Sequence, residues 1–138
     1  MMKAMFSGAS GVRAHQTRMD VIANNVSNVN TDKFKSSSVT FQESLVHTLR
    51  QAGLADESTG RGGTNPIQVG TGVSVGQIRR STTPGPKRIE YDTIEISSNT
   101  ELAKEFPDTI TTQRGFEANA RVIPVVDSML EEVVNLRR

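Results

Sequence analysis

The side chains able to perform acid–base or metal chemistry are few and scattered in this chain. The two histidines, His15 and His47, lie far apart and lack the short spacing typical of metal ligands. The serines show no nucleophile elbow. No pairing suited to general acid–base catalysis is found among the carboxylates Asp20, Glu43, Glu101 and Glu105. The sequence therefore predicts no catalytic site, no metal site, no cofactor and no small-molecule substrate, and indicates that the protein is not an enzyme.

The most unusual polar cluster consists of four asparagines, Asn24, Asn25, Asn28 and Asn30. Asparagine tolerates left-handed backbone and hydrogen-bonds nearby main chain, so the simplest interpretation is a helix end followed by a turn. A functional interpretation is a contact between subunits. The two are compatible, because a rigid turn would set the angle between the parts of the chain on either side of it.

The composition is unusual for a self-contained domain. Hydrophobic residues make up 35% of the 138 residues and aromatic residues 4%, with no Trp, so little large apolar material is present to fill a core. The formal net charge of +1 predicts no strong attraction to nucleic acid or to an anionic membrane. No apolar run is long enough to span a membrane. The first residues do not resemble a secretory signal, so any export would proceed without a cleaved signal peptide.

The chain divides into three regions. Residues 1–30 have small and apolar residues at helical spacing, which predicts an N-terminal amphipathic helix. Residues 31–98 are rich in Gly, Ser and Thr and contain alternating segments at 68–75 and 89–96, which predict an extended β-hairpin and loop region. Within it, the side chains between Thr40 and Gln51 favour a short helix. Residues 99–138 return to helical spacing and predict a C-terminal helix.

The C-terminal helix has a predicted cap and two expected irregularities. Asn99 or Thr100 is a plausible N-cap. Pro107 and Pro124 each remove a backbone donor, so we expect the helix either to bend there or to begin after Pro107. Two long helices at the ends of one chain favour an antiparallel, coiled-coil-like pair. We expect the bulky stripe of the C-terminal helix to pack against the small residues of the N-terminal helix. The fold class is thus mainly α with a small β part.

Two segments resemble the terminal signatures of the bacterial flagellar rod and hook axial proteins. The first runs from Met19 through Ala23-Asn24-Asn25-Val26 to Phe34-Lys35, and the second contains TTQRGFEANARVI, beginning at Thr111, and ends in VNLRR. They stand in the order and at the ends of the chain where the family carries them. The longer members of the family insert outer β-rich domains, introduced by a motif that this sequence lacks. We expect the insertion point to lie between Thr82 and Lys87, and the chain to be a core without those domains, either shortened or naturally short.

The resemblance implies a structural subunit that self-assembles into the tubular flagellar hook and transmits motor torque to the filament, with a distal rod subunit as the alternative. It implies a location in the extracellular hook or basal body, export through the flagellum's own secretion channel, and other copies of the chain as neighbours. Distal rod, hook cap and hook–filament junction proteins are the other implied partners. We expect the subunit contacts to involve residues of both terminal helices and the turn: Met5, Val12, Met19, Ile22, Asn24, Asn25, Val26, Phe34, Ile110, Phe116, Ile123, Val126, Leu130 and Val133.

Overall fold

Two long helices at the ends of the chain dominate the computed structural model, which describes residues 2–54, 60, 62–90 and 93–136. Helix α1 spans Met2–Ser27 and helix α2 spans Leu102–Asn135. The helices run antiparallel, since Gly8 contacts Val122 whereas Asn25 contacts Glu105. The predicted pair of terminal helices with a β region between them is confirmed.

Helix α2 continues through both of its prolines. Its 34 residues correspond to a length of about 51 Å. The hydroxyls of Thr111 and Ser128 donate to the carbonyls of Pro107 and Pro124, one turn earlier. The expectation that the helix begins only after Pro107 is wrong, because packing against α1 outweighs the loss of a single backbone donor.

The predicted caps of α2 are also wrong. The N-cap residue is Glu101, whose side chain makes no capping hydrogen bond among the described residues. The Asn99 side chain is engaged elsewhere: it accepts from the Ser36 amide at 2.7 Å and donates to the Thr83 carbonyl at 2.7 Å. Asn99 therefore ties the entrance of α2 to the two loops beside it.

The middle region folds as antiparallel strands. In the described residues the strands are β1 (Ser37–Glu43), β2 (Val46–Arg50), β3 (Ile67–Gly70), β4 (Val73–Arg80), β5 (Lys87–Glu90) and β6 (Thr93–Ile96). β1 pairs with β4, β2 with β3, and β5 with β6. Residues 91 and 92, within the alternating segment 89–96, lie outside the described residues. That segment is divided between two paired strands.

The helix expected between Thr40 and Gln51 is replaced by β1 and β2. β-branched residues are frequent here, and a partner strand at residues 67–80 supplies hydrogen bonds that a short helix could not match. Backbone bonds from Ser44 to Gly72 and from Thr71 to Leu45 link the two strand pairs into one ribbon of residues 37–50 and 67–80. We call this the ribbon. Its first part, β1 and β4, packs against α1.

Candidate assembly site

The seam between the helices consists of small and polar residues. Both helices contribute residues at alternating steps of three and four, the spacing of a coiled coil. From α1 these are Gly8, Gly11, His15, Arg18, Ile22 and Asn25, and from α2 Glu105, Asp108, Thr112, Gly115, Asn119, Val122 and Val126. Among the described residues the buried apolar side chains are only Ala14, Ile22 and Val126. The pair is therefore held by close approach and polar contacts more than by apolar volume.

At two seam positions the helices lie so close together that only glycine fits. A Cβ on Gly11 would lie 2.6 Å from Cγ of Asn119, and one on Gly115 would lie 2.5 Å from Cε1 of His15. Gly8 is less constrained, since a Cβ there would meet its nearest neighbour at 3.4 Å. Glycine costs about 1 kcal/mol in a helix interior relative to alanine. Here that cost is offset by the contacts that the short distance allows.

His15 sits in a pocket formed by both helices and the ribbon. Its ring fits over Gly115 and meets the ring of Phe41 edge-on, with centroids 5.2 Å apart. Its Nδ1 is buried and has no hydrogen-bond partner among the described residues. Burial, with a smaller contribution from the nearby Arg18 guanidinium, lowers the pKa of His15 below its ordinary value of 6.5. Both effects favour the neutral form of His15.

Arg18 connects the same three elements. Its guanidinium bonds the Asp108 carboxylate at 3.1 Å and lies 5.8 Å from the centre of the Phe41 ring. The two charged side chains remain 27% and 38% exposed, so this ion pair contributes at most about 1 kcal/mol. Through these two contacts Arg18 joins α1, α2 and β1.

Asn25 joins α1, the start of β1 and the start of α2. Its amide nitrogen donates to the Ser37 carbonyl at 2.7 Å and to Oε1 of Glu105 at 3.0 Å. Its oxygen accepts from the Ser37 amide at 2.9 Å. Asn25 is 1% exposed and Glu105 8%. Burial raises the pKa of Glu105 above its ordinary value of 4.5, whereas the Asn25 hydrogen bond opposes that rise.

A polar groove lies beside this junction. It has a volume of about 890 Å³ and is lined by residues 36–38, 79–86 and 98–101, together with Thr40, Lys104 and Glu105. Residues 82–86 of the expected insertion point, which runs from Thr82 to Lys87, form part of this lining. In the described part of the chain no cluster of His, Cys, Asp or Glu is arranged to hold a metal ion. Among the same residues no helix is apolar and long enough to cross a membrane.

The two helical ends of the chain match known protein families. Residues 5–35 match the family model of the flagella basal body rod protein. Residues 97–136 match the model of the C-terminal part of flagellar basal body rod FlgEFG proteins. The two matches cover α1, its exit turn and α2, which are the elements that form the seam.

The chain belongs to the flagellar rod and hook family.

Relatives of both kinds are similar to this chain. A flagellar hook protein FlgE of Borreliella burgdorferi is 46% identical over 85 residues, covering 62% of this chain and 19% of the hook protein. A flagellar basal-body rod protein FlgG of Bacillus subtilis is 45% identical over 78 residues, covering 56% and 29%. FlgG of Buchnera aphidicola is 30% identical over 144 aligned positions, covering 98% and 54%. The chain thus spans about a fifth of this hook protein and up to about half of these rod proteins.

The contact residues expected from the flagellar rod and hook resemblance occupy three kinds of environment. Ile22, Asn25 and Val126 are buried. Half-buried positions are held by Met5, Val12, Met19, Val26, Phe34, Ile123 and Leu130. Exposed positions are held by Asn24, Ile110, Phe116 and Val133. Their role in contacts between subunits stays a prediction.

One detail of the predicted pairing is wrong in part. Of the bulky stripe of α2, Val126 is buried and Ile123 and Leu130 are half-buried. Ile110, Val133 and Phe116 are instead 55%, 49% and 38% exposed. The reason is the glycine seam, which brings the backbones too close for bulky side chains to lie between them.

Several seam residues were not predicted as functional positions. The sequence analysis found no site at His15 or Glu105, and it did not single out Arg18 or Asp108. The sequence did contain a pattern that could have identified the seam. It is the spacing of three and four residues in Gly8, Gly11 and His15, which is repeated in Thr112, Gly115 and Asn119. In this family member the small and polar residues mark the seam, and the apolar residues mark its flanks.

Proposed function

We propose that this chain is a structural subunit that assembles into the tubular flagellar hook. The observation that carries the proposal is the accessible surface of the single chain, 10,652 Å². A compact monomer of 15.0 kDa exposes about 7,000 Å². The excess of roughly 3,600 Å² is larger than one standard interface, which covers about 800 Å² per partner. Several neighbouring subunits would cover it.

Exposed apolar side chains on the ribbon support the same proposal. The outer part of the ribbon is exposed on both faces, with Leu45 72%, Leu49 58% and Ile67 46% accessible. An isolated two-stranded hairpin is marginally stable in water. Contacts with neighbouring copies would stabilise the ribbon and bury these side chains. The helical pairs would resist axial load, and the contacts between ribbons would slide as the tube bends.

The proposal includes the expected partners and location. The neighbours along the tube are further copies of the chain, and distal rod, hook cap and hook–filament junction proteins contact its ends. The subunit works in the hook or basal body without catalysing a reaction, and it leaves the cell through the flagellum's own secretion channel. The relatives named as hook and rod proteins support this location.

A distal rod subunit is the second candidate. The alignment with the rod protein of Buchnera aphidicola extends over 98% of this chain, including the ribbon, whereas the alignment with the hook protein of Borreliella burgdorferi covers 62%. The two functions differ in the rigidity of the polymer. Straight, stiff tubes would favour the rod, and curved, flexible tubes would favour the hook.

Electron microscopy of the concentrated, purified chain tests the proposal. We expect tubes of uniform diameter, and we expect Val126→Asp to abolish them, because it places a charge at a buried seam position at a cost of several kcal/mol. A control at an exposed position, Asn135→Asp, should assemble normally. A chain that stays monomeric at high concentration would contradict the proposal.

A further inference from the structure

Helix α2 carries two separate exposed apolar surfaces. The N surface consists of Leu102, Phe106 and Ile110, which are 37%, 56% and 55% exposed. The C surface consists of Val125, Met129, Val133 and Leu136, which are 53%, 51%, 49% and 87% exposed. Within each surface the residues are spaced by three or four, so each forms a continuous stripe on the helix.

The two surfaces face different directions at opposite ends of α2. At 3.6 residues per turn, their mean directions differ by roughly 135° around the helix axis, and their centres lie about 37 Å apart along it. Helix α1 lies against the seam that contains Thr112 and Val126. Met129, Val133 and Leu136 continue the three-and-four spacing of that seam toward the end at which α1 begins, and they remain exposed. The fold of one chain therefore leaves both surfaces uncovered.

The separation of the surfaces restricts how copies of the chain can satisfy them. A two-fold dimer that pairs one surface with itself leaves the other surface in water. Pairing the N surface of one copy with the C surface of the next leaves one free surface at each end of every growing chain, and such head-to-tail contacts produce open assemblies. The excess accessible surface of the chain is large enough for interfaces of this kind.

The side chains of the two surfaces are also complementary. The N surface projects the ring of Phe106. The C surface offers two valines with the flexible thioether of Met129 between them, and methionine adapts to irregular gaps and contacts aromatic rings favourably. An aromatic residue against smaller valines and an adaptable methionine interdigitates better than either surface against itself.

We propose that the N surface of one copy packs on the C surface of the next copy, making a head-to-tail contact along α2. This inference rests on the proposed function, since it specifies which surfaces two neighbouring subunits join. It adds a polarity to the contact: each copy has one donor surface and one acceptor surface.

Two single-surface variants test the polarity. Phe106→Asp removes the N surface and leaves the C surface intact, and Met129→Asp does the reverse. We expect each variant alone to lose sedimentable polymer and to remain a single chain in analytical ultracentrifugation. Mixed in equal amounts, the variants should form a complex of two chains and no larger, because only one intact pair of surfaces remains.

Controls separate the inference from folding and from the proposed function. Asn135→Asp adds the same charge in the last turn of α2, roughly 115° away from the C surface, and should assemble like the unmodified chain. The pair Ile110→Asp and Val133→Asp should repeat the result if Phe106→Asp or Met129→Asp loses helix content by circular dichroism.

The outcomes are distinct. Two-chain complexes in each variant alone, with nothing new in the mixture, would show self-pairing surfaces and overturn the inference. Normal tubes from both variants would also overturn it while leaving the proposed function intact. Failure of the unmodified chain to form tubes would contradict the proposed function, and the mixture would still report on the contact itself.

Discussion

At the scale of single residues, His15 makes the stability of the folded chain depend on pH. Its pKa is lowered in the folded chain, so the unfolded chain binds more protons at pH values below 6.5. The stabilisation from neutral His15 is present above 6.5 and lost as the pH falls through the lowered pKa. Glu105 has the opposite effect on stability. Because its pKa is raised in the folded chain, its contribution is present below pH 4.5 and is lost as the pH rises through the raised pKa.

We therefore expect His15→Gln to reduce the sensitivity of assembly to acid. Glutamine does not titrate, so the critical concentration for polymer formation should rise less between pH 7.5 and 5.5 than it does in the unmodified chain. Sedimentation at both pH values measures this. His47→Gln, at an exposed position of β2, should behave like the unmodified chain, and an equal effect of both substitutions would mean that the seam does not sense pH.

The seam glycines give a second prediction at this scale. Gly115→Ala should destabilise the helical pair by about 1–3 kcal/mol, because the added Cβ would force the His15 ring out of its position. Gly8→Ala should be neutral or slightly stabilising, since its Cβ meets only ordinary contacts and alanine favours helix. The critical concentration for polymer formation, measured for each variant by sedimentation, compares the two effects. Equal effects would mean that the helices are farther apart than described.

At the scale of elements, the junction at Asn25 decides how the ribbon leaves the helices. Asn25→Ala would leave the Ser37 amide and the Glu105 carboxyl without their partner in a buried site. We expect a cost of about 2 kcal/mol, or a roughly thirty-fold higher critical concentration.

The neighbouring asparagine provides the matched control for that junction. Asn24 is exposed, and its side-chain oxygen lies 3.5 Å from the Asn28 amide nitrogen, at the limit of a hydrogen bond. Asn24→Ala should change stability by less than about 0.5 kcal/mol. A large loss of assembly with Asn24→Ala would instead indicate that Asn24 contacts another subunit, as the sequence alone suggested.

The helical pair could be predicted from the sequence only in part. Helical spacing at both ends, with strands between them, predicted the antiparallel pair correctly because periodicity reports which residues share a helix face. It could not show which face meets the partner helix. Apolar residues usually mark that face, but here Gly11 and Gly115 bring the backbones together and leave Ile110 and Phe116 exposed.

The ribbon illustrates a second limit. Leu45 and Leu49 lie four residues apart and favoured a short helix, yet both belong to the ribbon. Strand pairing depends on a partner more than fifteen residues away, and local spacing does not contain that partner. The alternating segment at 68–75 was the other half of the ribbon, so the two segments had to be considered together.

At the scale of the whole molecule, the chain has too little core and too much surface for an independent domain. Among the described residues only three apolar side chains are buried. Ordering one residue costs about 1–2 kcal/mol of backbone entropy, and the seam alone offers little apolar area against that cost. In the proposed assembly, contacts with neighbouring subunits would supply much of the stability of the helices.

The central claim is that the paired terminal helices carry assembly. It is tested most directly by sedimentation and electron microscopy of the full chain beside a chain lacking residues 1–25, which removes the α1 side of the seam. We predict that the full chain forms sedimenting tubes and that the shortened chain forms none, because α2 then has no partner for Thr112, Gly115 and Val126. Regular tubes from the shortened chain would show that assembly does not need the paired helices and that the ribbon carries it.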